Sequence, residues 1–408
     1  MRVLYLTNNF PYPLTSGYLR HYFLIKELSR WHEVTLLSLA KPHFRDEHAR
    51  ALEPFAEAVM AFPAPAQPSR WHKGARRLLA LVRPRPEVLK MRAVVGRLAA
   101  EKQYDVIVSG KYTFPAVEPL LRRGVPLVAD MCDATSARIR RTAQYAPWLK
   151  RPFLALEYLH VRQIERQLMR VADHSIFISC RDREDVLGAD TRARTTIVPN
   201  GVDLAYWQRS APRLGYRTIV FTGAMGYRPN TDAALYLIQE ILPAVERQIP
   251  DVRLLIVGKE PPPALRQAGQ RPNVTVTGFV EDVRPYLEQA TVFAAPLRFG
   301  AGMQNKVLEA MAMEVPVVAS PLAADGLRTE EGHVPPLQVA ADTDGFVDAL
   351  VRTLQEREAN PEPDREARRF VERHFVWEES GAKLDRVLRL VCQRARQPLA
   401  STAQGVAE

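Results

Sequence analysis

A chain of 408 residues, 47% hydrophobic and 25% charged, has the composition of a soluble globular protein and the length for two full cores. No apolar run approaches the roughly 18 residues of a membrane-crossing helix, and Cys132, Cys180 and Cys392 lie too far apart for a metal motif, which leaves three inert thiols in a reducing compartment. The net charge of +10 is uneven: residues 1–199 carry 32 Lys and Arg against 19 Asp and Glu, and the remainder is slightly acidic.

The chain opens on an apolar run, Val3–Leu6, that ends in Thr7-Asn8-Asn9. A run this short suits a buried strand, not a signal peptide, and a cytoplasmic protein is expected. A loop through Gly17 follows, with Arg20 and His21 opening a helix to Ser29. The Gly-x-Gly-x-x-Gly of a dinucleotide site is missing here, so a dehydrogenase loses its main support. Gly17 can present amides to an anion or simply turn the chain.

Further strands are predicted at Glu33–Leu39, Val59–Phe62, Asp105–Val108, Pro126–Ala129 and His174–Ile178, and helices at about 91–101 and 154–171. Alternation of this kind implies a parallel sheet covered on both faces. Between Arg70 and Arg97, nine cations alternate with apolar residues, and Glu87 is the only acid. Such a segment suits an anionic membrane face or an anionic acceptor, and an ordinary solvated helix face reads equally well. Nucleic acid is disfavoured, since no recognised binding module is present. Asp130, Asp133 and Ser136 follow a strand end, where carboxylates can align an acceptor hydroxyl, support developing positive charge in a glycosyl transition state, or cap the next helix.

At Ile197-Val-Pro-Asn-Gly-Val-Asp203 the pattern stops in a turn, read as the crossover between domains. A second series then gives strands at Thr218–Thr222, Arg253–Val257, Val274–Thr277, Val292–Ala295, Val315–Ala319 and His333–Val339. Helices are expected at 233–242, 283–289, 307–313 and 343–355, with one helical stretch from Asp364 to about Arg396 and a disordered tail at 397–408. Gly223, Gly258 and Gly278, followed by Phe279, stand at strand ends, and Asn230 or Thr231 is a candidate cap for the helix after Gly223. Arg228 in that loop can pair with a diphosphate or lie on the surface beside a tight turn.

The stretch 296–320 carries the most information. Gly300 and Gly302 let backbone amides approach a ligand, and Met303, Gln304 and Asn305 lead into a helix whose start favours negative charge. Lys306 and Glu309 share one face of its first turns, offering a cation for a phosphate and a carboxylate for a sugar hydroxyl. No cluster has metal-ligand spacing.

With Ile-Val-Pro-Asn-Gly-Val-Asp, Leu-Leu-Ile-Val-Gly, Val-Thr-Gly-Phe-Val-Glu-Asp-Val and Leu-Glu-Ala-Met-Ala in this order, the chain resembles glycosyltransferase family 4 over nearly its whole length. Within that family it is similar to sugar transferases of bacterial exopolysaccharide clusters. The resemblance implies an α/β, GT-B fold of two doubly wound, Rossmann-like domains facing a cleft. They would be an acceptor domain at 1–199 and a donor domain at 200–376, with a helix at 377–396 packing back on the first. It implies retaining transfer from a UDP- or GDP-sugar to a glycan or lipid-linked acceptor, with no required cofactor or metal, at or near the inner face of the cytoplasmic membrane. Arg228 and Lys306 would meet the leaving diphosphate, Asp133 would serve the acceptor side, and Gly17, Gly223, Gly258, Gly278, Gly300 and Gly302, with Phe279, residues 303–305 and Glu309, would surround the donor.

Family members have two glutamates eight positions apart. The second matches Glu309, while Ala301 stands where the first would be. Ala224 and Pro229 likewise occupy the usual arginine and lysine positions after the strand-end glycine. These departures keep open a nucleotide-sugar binder without transfer activity, or a GT-B nucleotide-sugar epimerase.

Overall fold

Val3, Leu4, Tyr5 and Leu6 are buried on both sides of the opening strand, the mark of a parallel strand covered on two faces. The computed structural model describes residues 1–14, 19–42, 44–64, 84–188 and 194–397. Gly17, the cations from Arg70 to Arg83 and the tail from position 398 lie outside the described residues.

Seven parallel strands form the first sheet: β1 (Arg2–Thr7), β2 (Glu33–Ala40), β3 (Ala58–Pro63), β4 (Val106–Gly110), β5 (Leu127–Cys132), β6 (His174–Phe177) and β7 (Thr195–Ile197). Their order is β3-β2-β1-β4-β5-β6-β7. The second sheet, also parallel, runs β10-β9-β8-β11-β12-β13. Its strands are β8 (Thr218–Thr222), β9 (Arg253–Val257), β10 (Val274–Val276), β11 (Val292–Ala295), β12 (Val317–Ala319) and β13 (Gln338–Val339). Both sheets are α/β and doubly wound, as expected. Strand order reverses between β1 and β4 and between β8 and β11, and the crevice beyond the carboxyl ends at such a reversal is where ligands bind in these sheets.

Several predicted elements have different limits. The expected strand His333–Val339 pairs with β12 only at Gln338 and Val339, because Pro335 and Pro336 have no N–H to give a ladder. The helix expected at 233–242 runs from Arg228 to Glu246. It passes through a π-helical turn at Leu237–Ile241 just before Pro243, which cannot donate the normal bond. Its N-cap is Tyr227, so neither Asn230 nor Thr231 caps it.

The long C-terminal helical stretch is two helices, Arg365–His374 and Trp377–Arg396. They separate because the chain extends at Phe375-Val376 to meet the crossover: Val202 donates its N–H to Phe375 O at 2.8 Å, and Val202 and Val376 form a parallel bridge. Gly201 makes this contact feasible, since a Cβ there would lie 2.3 Å from the Trp377 nitrogen. Helix Trp377–Arg396 then returns to the first sheet's side. Trp377 stacks on Phe23 at 4.8 Å, and Leu384, Leu388 and Val391 join the core around Val3 and Leu24.

Candidate active site

The reversal between β8 and β11 brings together two loops, 223–227 and 296–304. The second leads into helix Asn305–Ala312, whose N-cap, Gln304, makes no side-chain capping bond. An uncapped start leaves first-turn N–H groups for an anion. Lys306, the second residue of this helix, donates to Asn230 Oδ1 and lies 5.1 Å from the Phe221 ring centroid. Asn230 Nδ2 in turn holds Ala224 O at 3.0 Å, so one amide side chain ties the cation to the β8 loop. Burial pushes the Lys306 ammonium down to about 8 and the Glu309 carboxyl up to about 7, and the charge of each partly offsets the shift of the other.

Arg228 takes a different direction. It donates to Tyr145 O in the first domain, with its guanidinium 5.7 Å from the Phe299 ring, and Tyr145 stacks on Phe299 at 4.7 Å. Arg228 and Lys306 therefore have separate partners in this conformation, and Arg228 is part of a bridge across the cleft.

The glycines serve unlike purposes. A Cβ on Gly258 would lie 1.7 Å from Gly223 O, so Gly258 is demanded by the packing of two strand ends. Gly278 and Gly300 have open space where a Cβ would project, and Phe279 beside the former is 70% exposed.

Loop 299–305 is fastened to the first domain and to the crossover between the domains. Gly302 N–H donates to Asp182 Oδ1 at 3.1 Å, Gly300 O accepts from Arg141 at 3.3 Å, and the Met303 sulfur accepts from Asn200 N at 3.3 Å. Asn305 Oδ1 accepts from Asn200 Nδ2 at 3.0 Å, and Arg20 reaches the same Asn200 at 3.2 Å while pairing with buried Asp130. Farther along helix Cys180–Leu187, Arg181 donates to Leu322 O at 2.7 Å, Arg183 pairs with Glu330, and Glu184 accepts from Arg328 at 3.0 Å.

On the facing side, β5 ends in a register shift between Asp130 and Cys132, with Cys132 at φ 51°, and this turns Asp133 out of the sheet. Asp133 accepts from Thr135 Oγ1 at 2.8 Å and Arg138 Nε at 3.2 Å, and Lys111 Nζ is 3.5 Å away. Lys111 and Arg138 hold its carboxyl below the usual range against the opposing effect of burial, which is the largest single influence. The helix after β5 has Ala134 as its N-cap without a side-chain bond, so Asp133 does not cap it. A Cβ on Gly302 would lie 3.6 Å from Asp133 Cβ, which places this carboxylate beside loop 299–305.

Lys111, Arg138, Arg141, Tyr145, Asp182 and Asn200 escaped the sequence reading. Asn200 sat inside a quoted motif, and Lys111 directly follows the β4 strand end. Arg141 and Asp182 are helical residues and Tyr145 ends a helix, and their roles depend on the packing of one domain against the other. Among the described residues no group of three or more His, Cys, Asp and Glu could hold a metal, and no helix is long and apolar enough to cross a membrane.

Known proteins share this architecture. Residues 22–201 match the family model described as a glycosyl transferase 4-like domain, and residues 216–356 match that of glycosyl transferases group 1. Phosphatidyl-myo-inositol mannosyltransferase of Mycobacterium tuberculosis is 28% identical over 373 residues, covering 85% of this chain and 88% of that protein. The Mycolicibacterium smegmatis protein of the same name is 28% identical over 360 residues, covering 85% and 83%. Among solved structures, sucrose-phosphate synthase of Thermosynechococcus elongatus superposes with a TM-score of 0.72 at 17% identity, over 97% of this chain and 100% of that one. The Anabaena protein Alr3699/HepE, solved with UDP and glucose, gives 0.64 at 15% identity, over 96% and 100%. At these identities the structural likenesses establish the fold.

Proposed function

We propose that this chain, which belongs to glycosyltransferase family 4 and has the GT-B fold, moves a sugar from a nucleoside-diphosphate sugar to a hydroxyl of a glycan or lipid-linked acceptor. The observation that carries the reading is Lys306 at an uncapped helix start beyond β11, with Glu309 on the same face. Lys306 and the helix amides meet the charge that develops on the departing diphosphate, the kind of stabilisation that usually dominates such transfers. Glu309, when ionised, accepts from donor ribose hydroxyls. Arg228 adds positive charge once its hold on Tyr145 O is exchanged for phosphate.

Asp133 is a weak base because its carboxyl is held below the usual range. Its part is electrostatic: a fixed negative charge beside the cleft stabilises an electron-poor sugar centre. With cations supplied by the chain itself, we propose retaining transfer without a divalent metal, in exopolysaccharide or cell-envelope synthesis at the inner face of the cytoplasmic membrane. The mycobacterial relatives, named for transfer of mannose to a phosphoinositide, support the lipid-linked acceptor.

The test is a thermal-shift panel of UDP- and GDP-sugars, then release of UDP or GDP with candidate acceptors in the presence of EDTA. Stabilisation by one nucleotide class and acceptor-dependent release are expected. Stabilisation by none of them, together with no release, rejects the reading.

A further inference from the structure

Helix Arg151–Val171 has two apolar faces. Val161, Glu165 and Leu168 turn inward, and Leu168 joins the core of the first domain. A second stripe of Phe153, Leu156, Ile164 and Val171, spaced by whole helical turns, lines a cavity of about 980 Å³. Val88 and Phe114 lie on its opposite wall. Lys111, Tyr112 and Arg228 also line it, so the cavity opens onto the cleft where the two domains meet.

The rim away from the core is unusual for a soluble surface. Phe153 is 67% exposed although it lines the cavity, and Trp148 is 74% exposed, with Leu149, Leu156 and Leu159 exposed nearby. Lys150, itself part of the lining, and Arg151 stand among them. Rings and aliphatic chains interleaved with cations suit the boundary of an anionic bilayer, and an open apolar surface of this kind marks a binding site.

We propose that this cavity holds the hydrocarbon chain of the acceptor, with the acceptor's head group at the cleft end beside Tyr112 and the rim at the membrane surface. The inference rests on the glycosyltransferase reading and narrows its acceptor to an amphiphile with an apolar tail. Polar side chains also line the cavity, among them Arg85, Arg92, Glu118, His160 and Gln167, while Val88, Phe114 and the helix stripe supply the apolar surface that a hydrocarbon chain needs. The volume suits a ligand of tens of heavy atoms. The basic excess of the first half complements an anionic head or lipid surface.

The full chain should be titrated with n-alkyl glucosides from methyl to octyl, below their micelle-forming concentrations, by displacement of 1-anilinonaphthalene-8-sulfonate. Each added methylene is expected to tighten binding by up to about fourfold. Ile164→Trp, which fills the cavity from a half-buried position, should abolish that gain, and Leu156→Glu, at the rim, should weaken it. Both variants should keep the wild-type thermal shift with nucleotide sugars. Equal binding of methyl and octyl glucosides, or an undiminished gain in both variants, overturns the proposal, as does a dimer that buries Trp148 and excludes octyl glucoside. Intact donor binding without chain-length dependence sinks this inference alone. Chain-length dependence with no donor binding or nucleotide release sinks the transferase reading instead.

Discussion

The carboxylate of Asp182, in the first domain, accepts the backbone N–H of Gly302 in the second at 3.1 Å, while the same oxygen takes the N–H of Ala134 at 2.9 Å. One buried side chain thus fixes the acceptor-side turn after β5 and the donor-side loop after β11 relative to each other. It is a positioning residue, and no contact of its own with a reacting group is required.

Asp182→Ala leaves two backbone donors without their acceptor, at a cost of about 1–3 kcal/mol. The expected result is a melting temperature lower by several degrees and a donor KM raised more than kcat is lowered. Asp182→Asn, which keeps one acceptor oxygen, should recover part of both. Unchanged donor KM in Asp182→Ala would show that the loop does not need this tether.

Lys306→Ala removes the cation at the helix start. Loss of a group that stabilises developing charge costs roughly 2.7–4 kcal/mol, or about 10²–10³-fold in kcat. Steady-state kinetics of nucleotide release measure it, with circular dichroism as the folding control. Arg228→Ala should cost less, since its side chain is engaged with Tyr145 and Phe299 in this conformation.

The pH dependence has a defined sign. Glu309 is ionised only above about 7 and Lys306 protonated only below about 8, so kcat/KM should peak between these values and fall on both sides. For stability, Glu309's folded value lies above its ordinary 4.5, and its contribution is lost as pH rises through about 7. Lys306 lies below its ordinary 10.5, and its contribution is lost as pH falls through about 8. In Lys306→Met, loss of the neighbouring positive charge should move the acidic limb upward. An acidic limb that stays in place would refute the coupling.

Gly258→Ala drives a methyl group into the Gly223 carbonyl. Overpacking of this kind costs about 1–3 kcal/mol, seen as reduced melting temperature in calorimetry. Gly300→Ala meets no such neighbour, although its φ of 146° disfavours a side chain. A melting temperature unaltered in Gly258→Ala would contradict the close approach.

The doubly wound fold was legible because parallel strands buried on both faces write continuous apolar runs, and β8, β9 and β11 fell at their expected limits. Elements set by the neighbouring domain were less visible. The periodicity runs through Phe375-Val376 unbroken, and only the family resemblance places a break there, because that break arises from pairing with Val202. In the site, Lys306 and Glu309 were readable from their position at a glycine-led helix start. Asp182 and Arg141 were not, because a helix pattern records which face is polar but not which opposing loop that face will meet, and Tyr145, at the turn after its helix, carries no pattern at all.

The chain passes between the domains twice, at 198–202 and at 375–377, and these passages lie side by side. Two adjacent tethers restrain twisting and sliding but leave rotation about the line they share, so the preferred relative motion has essentially one degree of freedom. Displacement then grows with distance from that axis. Asn200 and Asn305, close to it, should keep their bond through most of a cycle, while the exposed pair Arg328–Glu184 should part before the buried contacts of Asp182. Opening would then be resisted at the exposed edge only by an ion pair weak enough to break, with alignment kept by an amide pair that scarcely moves.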